Sequence, residues 1–181
     1  MCAICDFKLE FSVGHPLALG VAMATRSAVD SGLLGEWTPA QESGVLGTAR
    51  RRMAAVEVLN AFQEKIETAV STDELVALPD FYVLLIESET WGFFHGTPEG
   101  FDPDIVPELP DTSIEDAEQR STVIITAEAT LQAVVSGGCD LQRALADKFF
   151  LIDGPAAQRE HLLSVFSRAL AQSAPLASAS I

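Results

Sequence analysis

The sequence predicts an α/β (α+β) fold, with a single mostly antiparallel sheet and helices packed on one face. Three observations carry the prediction. Residues 122–170 read strand, helix, helix, strand, helix. Residues 81–95 hold two apolar runs joined by a short polar turn. Residues 48–70 place apolar side chains three or four apart, which is helical spacing. With 181 residues, 48% of them apolar, the chain is long enough for one domain with a real core.

The elements follow in order. Phe7, Leu9, Phe11 and Val13 alternate with Lys8, Glu10 and Ser12, the period-two pattern of a half-buried strand. Gly14-His15-Pro16 breaks that strand, and Pro16 suits a first helical turn, where its missing amide costs nothing. Residues 17–30 then read as a small-residue helix ending before Gly32. A connector, residues 33–47, leads to a helix over 48–70 with Met53, Val56, Leu59, Phe62, Ile66 and Val70 facing inward. Arg50, Arg51 and Arg52 in its first turn oppose the helix dipole, so they are expected either to have acidic neighbours in space or simply to protrude.

Residues 81–86 form a nearly unbroken apolar run, expected as a strand covered on both faces, with 91–95 as its hairpin mate. Residues 100–118 are rich in proline and aspartate and read as a long surface excursion. Beyond it come a strand at 122–126, a short helix at 128–135 stopped by Gly137-Gly138, and a second short helix at 140–147. A strand at 149–152, its turn at Asp153-Gly154, and a helix opened by Pro155 complete the pattern. The expected organisation is a strand–helix extension over 1–47 packed on a main domain over 48–171. That domain carries an acidic insertion at 97–120, and 172–181 is a flexible tail.

Charge narrows the partners. The formal net charge is -15, and no lysine or arginine lies between Ile66 and Gln119, where 14 of the 26 acidic residues fall. Such a field repels a phosphate backbone, so no nucleic-acid partner is expected. There is no run of eighteen apolar residues, so the chain is not expected to be transmembrane. No basic leader precedes an apolar stretch, and the expected location is cytoplasmic.

The stretch VIITAEATLQAVVSGGCDLQRALADKFFLIDGPAAQREHLLSVF resembles the C-terminal part of the sterol carrier protein type 2 (SCP2-like) superfamily. Gly137, Leu141, Ala144, Leu145 and Gly154 fall where that family has its recurring glycine, apolar and small positions. The resemblance covers about a quarter of the chain. It implies a largely antiparallel sheet, helices over one face and an apolar cavity for lipid-like molecules. The family shares no catalytic set, so no catalytic residue is carried over. Residues 48–95 correspond only loosely to the family's first half, and residues 1–47 have no counterpart.

Cys2 and Cys5 form a CxxC, followed by His15. A redox pair needs its first thiol at a helix N-terminus, and here a strand pattern follows instead. A tetrahedral ion such as zinc suits two thiolates, but a strand of eight residues spans about 26 Å and keeps His15 away from them. Cys139 and His95 are the further metal-ligand candidates, and the plainer alternative is buried thiols with a histidine capping the helix after Pro16. Trp91, Phe93, Phe94 and His95, with Phe149, are the candidate ligand-binding residues, their plainer alternative being core packing.

No nucleophile elbow, phosphate loop, dinucleotide fingerprint or zinc-protease motif is present. The functional expectation is non-catalytic binding of a hydrophobic or amphipathic small molecule, such as a lipid, in an apolar pocket. The alternatives are an acidic module docking on a basic protein partner, or a metal-binding protein using the cysteine pair. A homo-oligomer is compatible with either.

Overall fold

The structure, a computed structural model, describes residues 14–35 and 45–171. The described helices are α1 (Ala18–Asp30), α2 (Val45–Ala69), α3 (Thr72–Val76), α4 (Glu128–Val135), α5 (Leu141–Ala146) and α6 (Ala156–Ala169). The strands are β1 (Phe81–Leu85), β2 (Thr90–Phe94), β3 (Gly96–Thr97), β4 (Gly100–Phe101), β5 (Thr122–Thr126) and β6 (Phe150–Asp153). The strand expected over 6–13, with Cys2 and Cys5, lies outside the described residues, as do most of the connector and the tail.

The main sheet has the order β2-β1-β5-β6. β1 pairs antiparallel with β2 and parallel with β5, and β5 pairs antiparallel with β6, so the sheet is mixed and mostly antiparallel. Phe94 and Thr122 both lie opposite Phe81, so β2 ends and β5 begins at the same end of the sheet. The chain must therefore step past β1, a gap of roughly 10 Å at two strand spacings. The connection is far longer than that step needs, and the surplus is the acidic excursion. β3 and β4 form a separate two-stranded ribbon beside α3, so the expectation of a single sheet is corrected to one main sheet and a short ribbon.

The two faces of the sheet have different covers. Phe81, Val83, Leu85, Phe94, Ile124 and Phe150 point into a large core with residues of α2, α4 and α6. At its centre Phe81 stacks on Phe94 with ring centroids 4.8 Å apart, and both meet Phe101, while Phe62 and Phe166 close edge-on. The opposite parity, Leu84, Ile86, Val123 and Ile125, packs on Val21 and Ala22 of α1. Helices on one face only is thus corrected. β1 and β5 are apolar at both parities, and a second apolar face must also be covered.

Local chemistry sets most boundaries. α1, α4 and α5 each end in a left-handed residue, Gly32, Gly137 and Lys148, whose flanking amides return to carbonyls of the last turn. Glycine takes that conformation without strain, whereas a lysine there pays for its Cβ. The α2 stripe also shifts. Ala55, Val58, Leu59, Phe62 and Ile66 are buried, while Met53 and Val56 are exposed. The small Ala55 takes the inward place that hydropathy alone gave to its larger neighbours. α3 had not been expected, although Ser71-Thr-Asp-Glu74 spells a capping box. The Ser71 hydroxyl accepts from the Glu74 amide, and the Glu74 carboxylate accepts from the Ser71 amide.

Candidate functional site

Three places concentrate chemistry. The first is an aromatic group on the α1 face of the β1–β2 hairpin. Alternation along the paired strands puts Tyr82, Trp91 and Phe93 on that face. Tyr82 packs edge-on to Trp91, with centroids 6.2 Å apart, and tilted against Phe93 at 4.9 Å. All three are only half-buried, unlike the phenylalanines across the sheet. Gly14, just before α1, comes against the rings' edge, with Trp91 and Leu84 about it. On the other side the Tyr82 hydroxyl donates to the Glu108 carbonyl (2.9 Å), so the excursion crosses this group.

The second is a buried polar knot at the start of α1. His15 is 1% exposed. Its Nδ1 accepts the Leu17 amide (3.2 Å), so the neutral ring carries its proton on Nε2, 3.2 Å from Asp153 Oδ2. Arg120 Nη1 donates to the same oxygen at 2.6 Å. Burial lowers the His15 pKa and Arg120 lowers it further, while Asp153 works the other way. Both ring nitrogens are engaged, so the knot holds the start of α1 to the sheet. His15 accepts the amide of Leu17, the residue before α1, so its side chain braces the turn into the helix and caps none of the helix's own amides.

The third is a carboxyl pair at the far end of β1 and β5. The Glu87 carboxyl accepts the Glu128 amide at 2.9 Å, capping α4, whose own N-cap residue is Ala127. Burial pushes Glu87 up to about 8; the Glu128 amide opposes this and the Glu128 carboxyl adds to it. The residue keeps some exposed surface while its carboxyl sits inside the protein. Glu128 is 2% exposed, and neither of its carboxyl oxygens has a hydrogen-bond partner among the described residues. Burial raises its pKa as well, against the neighbouring Ser88 hydroxyl and the Arg51 guanidinium. Arg51 thus has an acidic neighbour, although α2 begins at Val45 and places it in the second turn, not the first as expected.

The candidate residues separate. Trp91 and Phe93 join the aromatic group, whereas Phe94 and Phe149 point into the main core. His95 leaves the sheet and pairs with Asp80 through Nδ1 at 2.8 Å, half-exposed. Cys139 is buried, its thiol donating to the Asp140 carbonyl, and burial, with Asp140 next, raises its pKa. Among the described residues no group of three or more His, Cys, Asp or Glu side chains is placed to hold a metal ion. No described helix is long and apolar enough to cross a membrane. Two open clefts lie elsewhere, one of about 270 Å³ lined by Asp140, Leu141 and Leu170, the other of about 230 Å³ by Leu145, Leu151 and Leu163. Neither includes the aromatic group or the carboxyl pair.

Sequence reasoning had passed over Tyr82, Glu87, Arg120, Glu128 and Asp153. Tyr82 shares a face with Trp91 and Phe93 only through the β1–β2 register, which parity along one strand does not give. The other four meet across long stretches of chain and leave no local signal. No family model, curated protein or solved structure matches the chain.

Proposed function

We propose that the protein binds a hydrophobic or amphipathic small molecule, such as a lipid, without transforming it, on an SCP2-like scaffold. The observation that carries this reading is the aromatic group of Tyr82, Trp91 and Phe93. Its members stay half-buried while the other large aromatics among the described residues are packed away, and they sit between the start of α1 and the excursion. Apolar walls with few polar groups are the usual make-up of a small-molecule site. Here the Tyr82 hydroxyl is the polar group at hand, and the excursion is the segment that would admit the ligand. The strand–helix–helix–strand–helix order over 122–170, with glycines at 137 and 154, supports the scaffold.

Fluorescence of Trp91 tests the reading. Trp37 is the second of the two tryptophans, so Trp37→Phe leaves a single reporter. Titrating a pyrene-labelled fatty acid should quench Trp91 saturably, and Trp91→Leu with Phe93→Ala should weaken binding by roughly tenfold or more, about 1.4 kcal/mol. Binding by the double variant is read from pyrene emission, with folding checked by circular dichroism. Absence of saturable quenching, or equal affinity in a folded double variant, defeats the proposal.

A further inference from the structure

We infer that the excursion is a preformed docking segment for a protein partner that offers a basic surface around an apolar pocket, with Val106 and Leu109 as its anchors. This does not rest on the small-molecule reading: its anchors are distinct from the aromatic group, and the two share only the Tyr82–Glu108 contact.

The segment is built unlike an ordinary solvated loop. Val106 is 93% exposed and Leu109 65%, and Ile105 beside them is exposed too. Large apolar side chains so open to water, three within five residues, form a patch that a partner would cover. Pro103, Pro107 and Pro110 punctuate the stretch, and residues 105–111 take no helix, strand or turn. Each proline fixes its own φ and biases the preceding residue towards extended backbone, so less entropy remains to be lost on docking.

Its ends are tied down. The Tyr82 hydroxyl holds the Glu108 carbonyl between the two anchors. Asp102 and Asp111 each accept an amide two residues on, Asp104 and Ser113, fixing the turns on either side. Downstream, Glu118 accepts the Ala156 amide at the start of α6 (3.0 Å). Extended, proline-bearing segments held in this way are a recurrent form of peptide recognised by grooved domains.

Charge selects the partner's class. Asp102, Asp104, Glu108, Asp111, Glu115, Asp116 and Glu118 all lie in this stretch, which holds no lysine or arginine. That excludes anionic lipid headgroups and nucleic acid as favourable surfaces, because both repel it. It favours a protein surface carrying lysines and arginines, whose field steers the encounter while the apolar anchors supply the holding contact.

Site-specific photocrosslinking tests this on the full chain. p-Benzoylphenylalanine is placed at position 106, and at the exposed Val76 of α3 as control, in cells that naturally make the protein. The expected result is a protein adduct specific to position 106, mapped by mass spectrometry to an apolar pocket ringed by lysine and arginine. With the purified pair, crosslinking should fall at least about fivefold as salt rises from about 50 to about 300 mM, since screening removes the steering field. Asp104→Asn with Glu108→Gln and Asp111→Asn should produce a similar fall at low salt. Leu109→Ser should weaken the complex while leaving its salt dependence in place. No adduct above the control, an adduct to lipid, nucleic acid or a second copy of this chain, or a protein adduct indifferent to both salt and charge neutralisation would each overturn the proposal.

Discussion

The two faces of the sheet solve the same problem with different means. The face covered by α2, α4 and α6 is filled by interlocking phenylalanines, and it reaches a carboxyl pair at the far end of β1. The face covered by α1 has a thinner apolar layer of Val21, Ala22, Leu84, Ile86, Val123 and Ile125, fastened by His15, Asp153 and Arg120. Packing without polar groups gains stability from area and contact. A buried charged knot gains position and little net energy, because desolvation offsets the attraction. The comparison assigns stability chiefly to the first face, and the positioning of α1 to the second.

Truncation provides the largest expected effect. Phe166→Ala removes a fully buried ring that meets Phe62 and Phe81, and should cost about 3–5 kcal/mol. Val21→Ala, also fully buried but on the α1 face, should cost roughly 1–2 kcal/mol, since it removes less side chain from a thinner layer. Urea denaturation of both variants measures the difference. Equal losses would break the contrast between the faces.

The pH response should separate the faces next. His15 is held neutral, with its folded pKa below the ordinary 6.5, so the folded state binds fewer protons than the unfolded chain. Its contribution is present above 6.5 and is lost as pH falls towards the folded value. Glu87, raised from 4.5 to about 8, behaves oppositely: its contribution is present below 4.5 and is lost as pH rises through about 8. Glu87→Gln keeps an oxygen for the Glu128 amide and removes the charge. It should therefore stabilise the protein at pH 8.5 relative to wild type, with little gain at pH 4.5. Thermal denaturation across that range reads the slope, and an unchanged alkaline slope in the variant would show that Glu87 is not its source.

The smallest effect sharpens the account of the turns shared by both faces. Lys148 holds a left-handed conformation (φ 64°) at the end of α5, where α1 and α4 use glycine. Lys148→Gly should raise stability by about 0.5–1 kcal/mol through relief of that strain, less the entropy that glycine adds to the unfolded chain. A loss on substitution would mean that the lysine makes a contact worth more than its strain.

Much of the fold was legible because it is local. The apolar runs at 81–85 and 122–126, the stripe of Leu162 and Phe166, and the stop at Gly137 each depend on residues within a turn or a strand of one another. Of the candidate site, Trp91 and Phe93 were legible as an aromatic strand. Alternation already parts them from Phe94, but only packing decided that Phe94 faces the main core and they face α1. A strand's alternation names two faces and does not say which becomes core when both are apolar.

What the sequence by itself determined is most of the described elements and the acidic character of the excursion. Both follow from composition and short-range periodicity. The tertiary structure alone decided the strand order β2-β1-β5-β6 and the placement of α1 on the opposite face from the other long helices. It also decided the remote caps, with Glu87 serving α4 and Glu118 serving α6 in place of the uncapping Ala127 and Pro155. The physical reason is one of range. A helix end needs an acceptor, and a buried histidine needs an acidic partner, but neither demand names its residue until packing has brought distant segments together.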